Sequence, residues 1–573
     1  MRHPILALLF ALLLAAPAAA IANQARGEAA WESKHALDLG LRDPLHPDAA
    51  VLHHDIAPPM AERIAALREA NAQPGAKLLQ IGIESAVAAP APALHWRTLP
   101  DGGHSAWLAA RSDGAQALRL ALDVVELPAG AVLRFAGASG DVAVAAVDAA
   151  AIARQRAIHP QYWSPVTDGD VQRVEIALPP GADPAHARLS LQAVSHLFVL
   201  PSGSLAGAKV GESDDCEFDA KCVNNPSAAY TAAKAAVARM VFQSGGSSSL
   251  CTGTLLNDTD AATQVPYFFT AAHCFTSQSV ANSLTTFWFY EASSCGAGDL
   301  DTAAQRQVTG GATVLYADTA SDVLFLRLNN PPPTGAVFLG WNASAVTSGN
   351  SILVLHHPAG DTKKVSLGQI RGFGSSSLAS GSFIKVGYTD GTTEGGSSGC
   401  GLLTFSNNEY QLRGGLLGGS ASCDNTGSLS NSANSDDFSR LDQAFPNLQQ
   451  YLQPAATAAP DYSGAWSNAA QNGWGLNVIR GSSGAYGMYI YHYDEASTPA
   501  WYLAAGPLSG STFTGTVFTF NGPWFGISPF NPALVGNRSS GTLTVTFSSP
   551  TEASINFTID GRSVSTTLTK LVF

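Results

Sequence analysis

Residues 267–274 read Tyr-Phe-Phe-Thr-Ala-Ala-His-Cys, and residues 395–400 read Gly-Gly-Ser-Ser-Gly-Cys. The first is a short apolar run that ends at His273 with Cys274 beside it, which predicts a buried β-strand carrying a histidine to its end. The second predicts a tight glycine turn in which Ser398 has Gly396 two residues before it and Gly399 after it. Hydrolysing an amide needs an activated hydroxyl, a base for its proton, a group that fixes the base's tautomer, and donors aimed at the developing oxyanion. Glycine lets the chain bend so that the N–H groups of Gly396 and Ser398 converge as an oxyanion hole, while His273 serves as base and then as acid toward the leaving amine. The orienting carboxylate should stand between the two motifs. Asp299, Asp301, Asp318, Asp361 and Asp390 fall in Gly/Ala/Thr turns, whereas Asp322 opens Asp-Val-Leu-Phe-Leu-Arg-Leu, an apolar strand able to bury it. Asp322 is therefore the third expected member. A histidine at a strand end and a Gly-Ser-Ser-Gly turn are each ordinary when met alone; their combination carries the argument.

The seven cysteines, Cys216, Cys222, Cys251, Cys274, Cys295, Cys400 and Cys423, all lie in the middle of the chain, so stapling is confined to one domain. An odd number leaves at least one thiol without an internal partner. No Cys/His group has zinc spacing, so no metal and no cofactor is expected.

The chain of 573 residues is too long for one core. Its 46% hydrophobic and 13% charged residues, with 55 Gly and 32 Pro, exclude general disorder and long coiled coils and suit a β-rich protein with many turns. A formal charge of -13 excludes a nucleic-acid partner reached through a basic surface. Arg2 and His3 precede an apolar run from Ile5 to Leu14 and a small-residue exit, the pattern of a signal peptide (1–20) cleaved after Ala20. No later run is long enough for a membrane anchor, so a secreted, extracellular protein is expected.

Residues 21–209 carry no cysteine and read as a β-rich domain with one helix over Met60–Ala72, ending in a flexible joint at Ala206–Lys209. From 210 to 453 short apolar strands alternate with Gly/Ser/Asn turns, and the pattern predicts a single closing helix within Phe438–Leu452. Residues 454–460 read as a linker. Residues 461–573 read as an accessory β domain with Tyr489, Tyr491 and Tyr493 on one strand face and Trp466 and Trp474 beside a turn. Its aromatics suit either a core or stacking on a glycan or polymer, and its partner stays unassigned.

Thr270-Ala-Ala-His-Cys and Gly-x-Ser-Gly, with an Asp on an apolar strand between them, resemble the trypsin/chymotrypsin family of serine proteases. Within it the chain is most similar to the bacterial lysyl endopeptidases. The shared stretches run in order through Cys216-x5-Cys222, Cys251-Thr-Gly-Thr-Leu-Leu-Asn, Ala320-Ser-Asp322, Leu339-Gly-Trp-Asn, His356-His-Pro, the serine turn and Gly418-Gly-Ser-Ala-Ser-Cys423. The resemblance implies a mainly β fold: a protease domain (210–453) of two orthogonal antiparallel β-barrels, between an N-terminal propeptide domain and a C-terminal β domain. It implies disulfides Cys216–Cys423, Cys222–Cys295 and Cys251–Cys274, leaving Cys400. A nucleophilic Cys400 is the sharper alternative, but the glycine register favours Ser398, and Cys400 reads as a small core residue. His356 and His357 point to opposite faces of a strand and receive no catalytic role.

Trypsin holds basic side chains with an Asp six residues before the nucleophile; here that place is Thr392. Lysyl endopeptidases place the acid after the last cysteine, where Asp436 of Ser435-Asp-Asp-Phe-Ser-Arg440 aligns. The resemblance thus implies a substrate-binding set of Asp436, Thr392, Gly418 and Gly419, against a plain reading of Asp436 and Asp437 as a solvated turn. Leu417 departs from the family, which carries a histidine there. Ser397 precedes the nucleophile where trypsin has Asp, so the trypsin activation switch is missing. A zymogen is still expected, with self-cleavage after Lys209 releasing the propeptide. The expected partners are proteins or peptides with basic residues and the chain's own propeptide. The alternatives are the same protease with another pocket preference, or a non-catalytic secreted binding protein on a protease scaffold.

Overall fold

The structure, a computed structural model, describes residues 23–30, 38–44, 51–71, 75–76, 78–87, 93–137, 143–157, 161–199, 213–260, 263–454, 461–471, 473–481, 485–494 and 496–571. The expected signal peptide with Ala20, the expected joint with Lys209, and all but the first residue of the expected linker lie outside the described residues.

Strand alternation builds the middle of the chain. Strands Val237–Ser244, Ser247–Leu256, Tyr267–Thr270, Thr285–Trp288, Arg306–Val308, Ala312–Asp318 and Val323–Leu328 pair antiparallel as a first barrel. Phe268 fills it with Met240, Phe242, Leu255 and Trp288. Its neighbour Phe269 points the other way, into a cluster with Phe325, Leu353, Leu355, Leu403 and Leu412 that belongs to both barrels. In the second barrel, strands Glu409–Gly419, Gly401–Ser406, Ser351–His356, Lys364–Ser375, Ser382–Asp390 and Asp436–Phe438 pair in that order, and the last closes back on the first. Ile352, Val354, Ile384, Val386, Tyr388, Cys400, Leu402 and Leu416 fill it. The mainly β, two-barrel architecture is the expected one.

The local details correct several expectations. The closing helix spans Leu441–Leu452, because Asp436–Phe438 is a barrel strand rather than the helix start. The N-terminal region holds a second helix, Ala149–Arg156, capped by Asp148, and two further helices form between 210 and 453, Ala228–Ala235 and Gln278–Asn282, each begun by a serine, Ser227 or Ser277, whose side chain accepts a backbone N–H of the first turn. These serine caps sit in Ser/Asn-rich stretches that read as turns. The helix expected at Met60–Ala72 spans Ala61–Asn71.

The N-terminal region packs two sheets around Leu108, Leu118, Leu120, Leu133, Phe135, Val174 and Ile176. Its strand Leu79–Ala86 pairs with Arg188–Leu197 on one edge and with Ser247–Leu256 of the first barrel on the other, so one sheet runs through both. Arg119, fully buried, donates from Nη2 to the Ser283 carbonyl at 2.7 Å and to Thr285 Oγ1 at 2.9 Å. Burial lowers its guanidinium to about 9. Contacts accordingly divide the chain into Met1–Thr259 with Gln264–Gln453, and Asp260–Thr263 with Pro454–Phe573.

In the second unit, strands Gly464–Ser467, Gly475–Arg480, Tyr486–Tyr493, Pro499–Gly506, Thr512–Asn521, Gly536–Phe547, Glu552–Ile559 and Arg562–Lys570 pair antiparallel into a ring around Trp466, Met488, Ile490, Phe513 and Leu543. Tyr486, Met488 and Ile490 face this core, so Tyr489, Tyr491 and Tyr493 share the opposite face.

Removing a buried donor set is expensive because its acceptors stay buried. Arg119→Ala is expected to destabilise the full chain by about 2–4 kcal/mol. Arg111→Ala, which breaks a surface ion pair with Asp113, is expected to shift stability by less than about 0.5 kcal/mol. Thermal melting of both variants beside the parent checks this.

Candidate active site

Register brings the first two residues together. Thr270 pairs with Leu324 across antiparallel strands, so the chain preceding Val323 runs beside the residues that follow Thr270. Asp322 sits one residue before the strand rather than on it, at φ +56, a conformation that Asp tolerates better than most residues. That turn aims both carboxylate oxygens at one residue: Oδ1 accepts the His273 backbone N–H at 2.8 Å, and Oδ2 lies 2.9 Å from Nδ1. Asp322 is 1% exposed, so water does not compete for these bonds. The ring's other nitrogen, Nε2, lies 2.7 Å from Ser398 Oγ, across 125 residues of sequence and from the other barrel. The disulfide Cys251–Cys274 ties the residue after His273 to the strand Ser247–Leu256.

Glycine makes the approach of the barrels feasible. A Cβ on Gly399 would lie 2.1 Å from Thr270 Oγ1, 2.7 Å from the Thr252 carbonyl and 2.8 Å from the Ala271 nitrogen. Gly396 has φ +97, and a Cβ there would lie 2.7 Å from the His357 carbonyl. The turn is held by Ala359 N–H on the Gly395 carbonyl (2.6 Å), Thr252 Oγ1 on the Gly396 carbonyl (2.9 Å) and Thr252 N–H on the Ser398 carbonyl (2.8 Å). Among the described residues, the N–H groups of Gly396 and Ser398 donate to no protein acceptor.

Beneath the turn lies a buried set that sequence reasoning left without a role. His356 Nδ1 is 2.8 Å from Ser397 Oγ and its Nε2 is 3.0 Å from Ser366 Oγ. Ser366 donates to the Thr392 carbonyl, so its oxygen accepts a hydrogen bond from Nε2–H while Ser397 donates to Nδ1. Glu217, beside Cys216, lies 3.5 Å from the same Nε2. His357, on the opposite face, donates from Nδ1 to the Asp361 carbonyl; burial first, then Lys363, holds it well below the usual imidazole range.

Asp436 is buried in the strand Asp436–Phe438, not in a solvated turn. Its Oδ2 accepts from Thr393 Oγ1 at 2.5 Å and from the Tyr388 hydroxyl at 3.1 Å. Asp437 points elsewhere, to Lys385 Nζ at 2.6 Å. Burial, and then Asp436, push the Tyr388 hydroxyl well above its ordinary range. Gly419 pairs with Asp436, and a Cβ on it would meet Asp436 Oδ1 at 2.5 Å. Thr392 is buried and reaches Ser366 through its carbonyl, so its neighbour Thr393 is the threonine at Asp436. The sequence count of six residues misses Thr393 by one, and Tyr388 had no signal. Leu417 is buried beside Gly418. Cys216 is bonded to Cys423 and Cys222 to Cys295, while Cys400 is buried with a free thiol.

Comparison with known proteins gives two family models, a lysyl endopeptidase C-terminal domain matching 210–439 and a lysyl endopeptidase N-terminal domain matching 55–198. A Pseudomonas aeruginosa protein described as a lysyl endopeptidase is 36% identical over 427 residues, 71% of this chain and 89% of that protein. A secreted RxLR effector protein of Plasmopara viticola is 28% identical over 34% of this chain and 48% of its own. Among solved structures, a protease from M. tuberculosis in its active form aligns at 19% identity and TM-score 0.27, over 44% of this chain and 95% of its own.

Adjacent residues in the serine turn should behave oppositely. Gly399→Ala is expected to lower the rate of Ser398 labelling by a fluorophosphonate by about 100-fold or more, since backbone must move. Cys400→Ala is expected to change it by less than about threefold. Labelling read by mass spectrometry on folded protein checks both.

Proposed function

The chain belongs to the lysyl endopeptidase family of serine endopeptidases, and we propose that it cuts peptide bonds after lysine through His273, Asp322 and Ser398, as a protein exported in precursor form. The observation that carries the mechanism is the unbroken relay of 2.9 Å and 2.7 Å from Asp322 through His273 to Ser398. Asp322 accepts a hydrogen bond from the Nδ1–H and so leaves Nε2 as a lone pair facing Ser398 Oγ. On attack, His273 takes the hydroxyl proton and Asp322 stabilises the imidazolium. The carbonyl oxygen, now negative, is received by the N–H groups of Gly396 and Ser398. His273 returns the proton to the departing amine, and water repeats the sequence to release the acyl group. Cys400 takes no part, since its side chain belongs to the second barrel's core.

Lysine preference rests on Asp436. A lysine ammonium carried into an apolar site needs a carboxylate, and Asp436 is a buried one beside Gly418 and Gly419, steadied by the Thr393 and Tyr388 hydroxyls. Leu417, where the family carries histidine, favours a second reading with broader acceptance of Lys and Arg. The N-terminal leader pattern and the three disulfides support export. Lys209, just before Cys216, remains the proposed processing site. An N-terminal sequence of the active enzyme that begins elsewhere in both the parent and Lys209→Ala would remove it.

A panel of peptides differing only in the residue before the cut reads the specificity. Asp436→Ala is expected to reduce kcat/KM for the lysyl peptide by about 10²–10⁴-fold, the effect of leaving one buried charge without its counterpart. Ser398→Ala is expected to reduce it by about 10⁴-fold or more for every peptide. If Asp436→Ala keeps full lysyl activity, the pocket assignment fails.

A further inference from the structure

Pairing register sorts the loops of the C-terminal barrel by end. Gly475 pairs with Tyr491 and Pro499 with Tyr493, Leu503 pairs with Phe518, Gly536 with Asn521, and Arg562 with Ile559. Trp474, Asp494, the 522–535 loop and Asp560 therefore stand at one end. The segments 507–511 and 548–551, at the other end, hold no aromatic residue. At the first end lies a cavity of about 780 Å³, walled by Trp474, Tyr493, Tyr502 and Phe557. That size suits a small organic ligand, and barrel mouths are a usual place to hold one. Trp466, Met488, Phe513 and Leu543 fill the interior of the barrel, so a ligand is confined to the mouth.

Groups able to hydrogen-bond stand between the rings. Asp494 Oδ1 accepts the N–H groups of Ala496 at 2.9 Å and Thr498 at 2.8 Å, while Oδ2 takes no donor among the described residues. His492 stacks on Tyr502 at 5.2 Å and gives its Nδ1–H to the Tyr493 carbonyl. Its buried Nε2 is therefore an acceptor, and no donor among the described residues meets it. Gln471 and Arg562 add donors to the same lining. The charges cancel. Two carboxylates, Asp494 and Asp560, are balanced by Arg562 and by Arg538, which holds both Asp560 oxygens at 2.6 Å and 3.0 Å. This lining chooses among ligands by exclusion. An ion would find no net charge to pair with. A wholly apolar molecule would strip water from Asp494 and Gln471 without replacing the lost hydrogen bonds. A pyranose does neither, because its C–H face rests on the rings while its hydroxyls donate to carboxylate and imidazole and accept from Gln471 and Arg562.

The rim extends that surface beyond one ring. The 522–535 loop is long for a hairpin and carries no charged residue, and it leaves Trp524 69% and Phe525 84% exposed. Apolar side chains held out on a rigid barrel are a binding surface rather than a packing one. Beside the loop, Tyr491 and Trp501 pair on neighbouring strands with both side chains exposed, and Phe520 stacks on Trp501 at 5.4 Å. We propose that this end of the C-terminal barrel binds a neutral glycan chain, with one sugar in the cavity and its neighbours on the rim aromatics. The accessory domain then gives the chain an attachment to glycan-bearing material. Nothing in this assignment uses Ser398, so it stands or falls apart from the peptidase reading.

The test uses the full chain carrying Ser398→Ala, which prevents self-digestion, and titration calorimetry with chitohexaose, cellohexaose and maltohexaose. These neutral oligosaccharides differ in acetamido groups and in linkage. At least one is expected to bind with a Kd below about 1 mM. Tyr493→Ala removes a cavity wall whose side chain is exposed, so the core stays filled, and it is expected to weaken binding about tenfold or more. Trp524→Ala removes a rim ring and is expected to weaken it about threefold or more. Ser509→Ala, at the opposite end of the barrel, is expected to leave the affinity unchanged. Melting curves beside the parent's check that each variant is folded. If none of the three sugars binds, or if the Tyr493 and Trp524 variants bind as tightly as the parent, the glycan site is wrong. Sedimentation of the chain with phosphatidylcholine vesicles, without binding of any sugar, would also overturn it and make the 522–535 loop a lipid contact.

Discussion

The absence of a side chain at Gly399 is the constraint from which the site follows. His273 and Asp322 belong to one barrel and Ser398 to the other, and the relay forms only if the serine turn presses against Thr252, Thr270 and Ala271. The apolar cluster shared by the barrels, with Phe269, Phe325, Leu355 and Leu403, supplies the force that holds the two halves together. Phe269 and Thr270 lie on the strand that leads to His273, so the residues that pack the seam also set the base.

A second layer keeps the turn in shape without the Asp that trypsin uses. Ser397 stands in that place, and its hydroxyl is taken by His356, itself gripped by Ser366 and faced by Glu217. Glu217 follows Cys216, whose disulfide to Cys423 anchors the start of the protease domain near the Gly418–Gly419 wall. The covalent bond and the buried polar set therefore hold Glu217 and His356 in place beneath the serine turn. A buried network of this kind is stable only when its members are satisfied, which gives His356 a structural reason to be there.

Much of this was legible from residues alone. The apolar run ending at His273, the glycine frame of Ser398 and the odd cysteine each reflect a local chemical need that leaves a local pattern. The two extra helices between 210 and 453 were missed because their only signal is a capping serine in a stretch already rich in serine. Thr393 was missed by one position because the count borrowed from trypsin ignores how the chain enters the second barrel. Tyr388 and His356 act through contacts 48 and 41 residues away, and no spacing rule reaches that far. The family alignment put Asp436 in the pocket, but its residues alone fitted a solvated Asp-Asp turn equally well. Strand pairing with Gly419 buries it and turns its neighbour toward Lys385 instead.

By itself the sequence determined the mainly β class, the family, and the three residues that would have to meet, because strand alternation, glycine turns and catalytic residue types are written over a few positions each. Only the tertiary structure decided that they do meet, that Thr393 and Tyr388 flank Asp436, and that the N-terminal domain shares a sheet with the barrel it precedes. Those outcomes depend on which distant strand edges and apolar faces find one another. That choice is made by register and packing over the whole chain, and no short stretch records it.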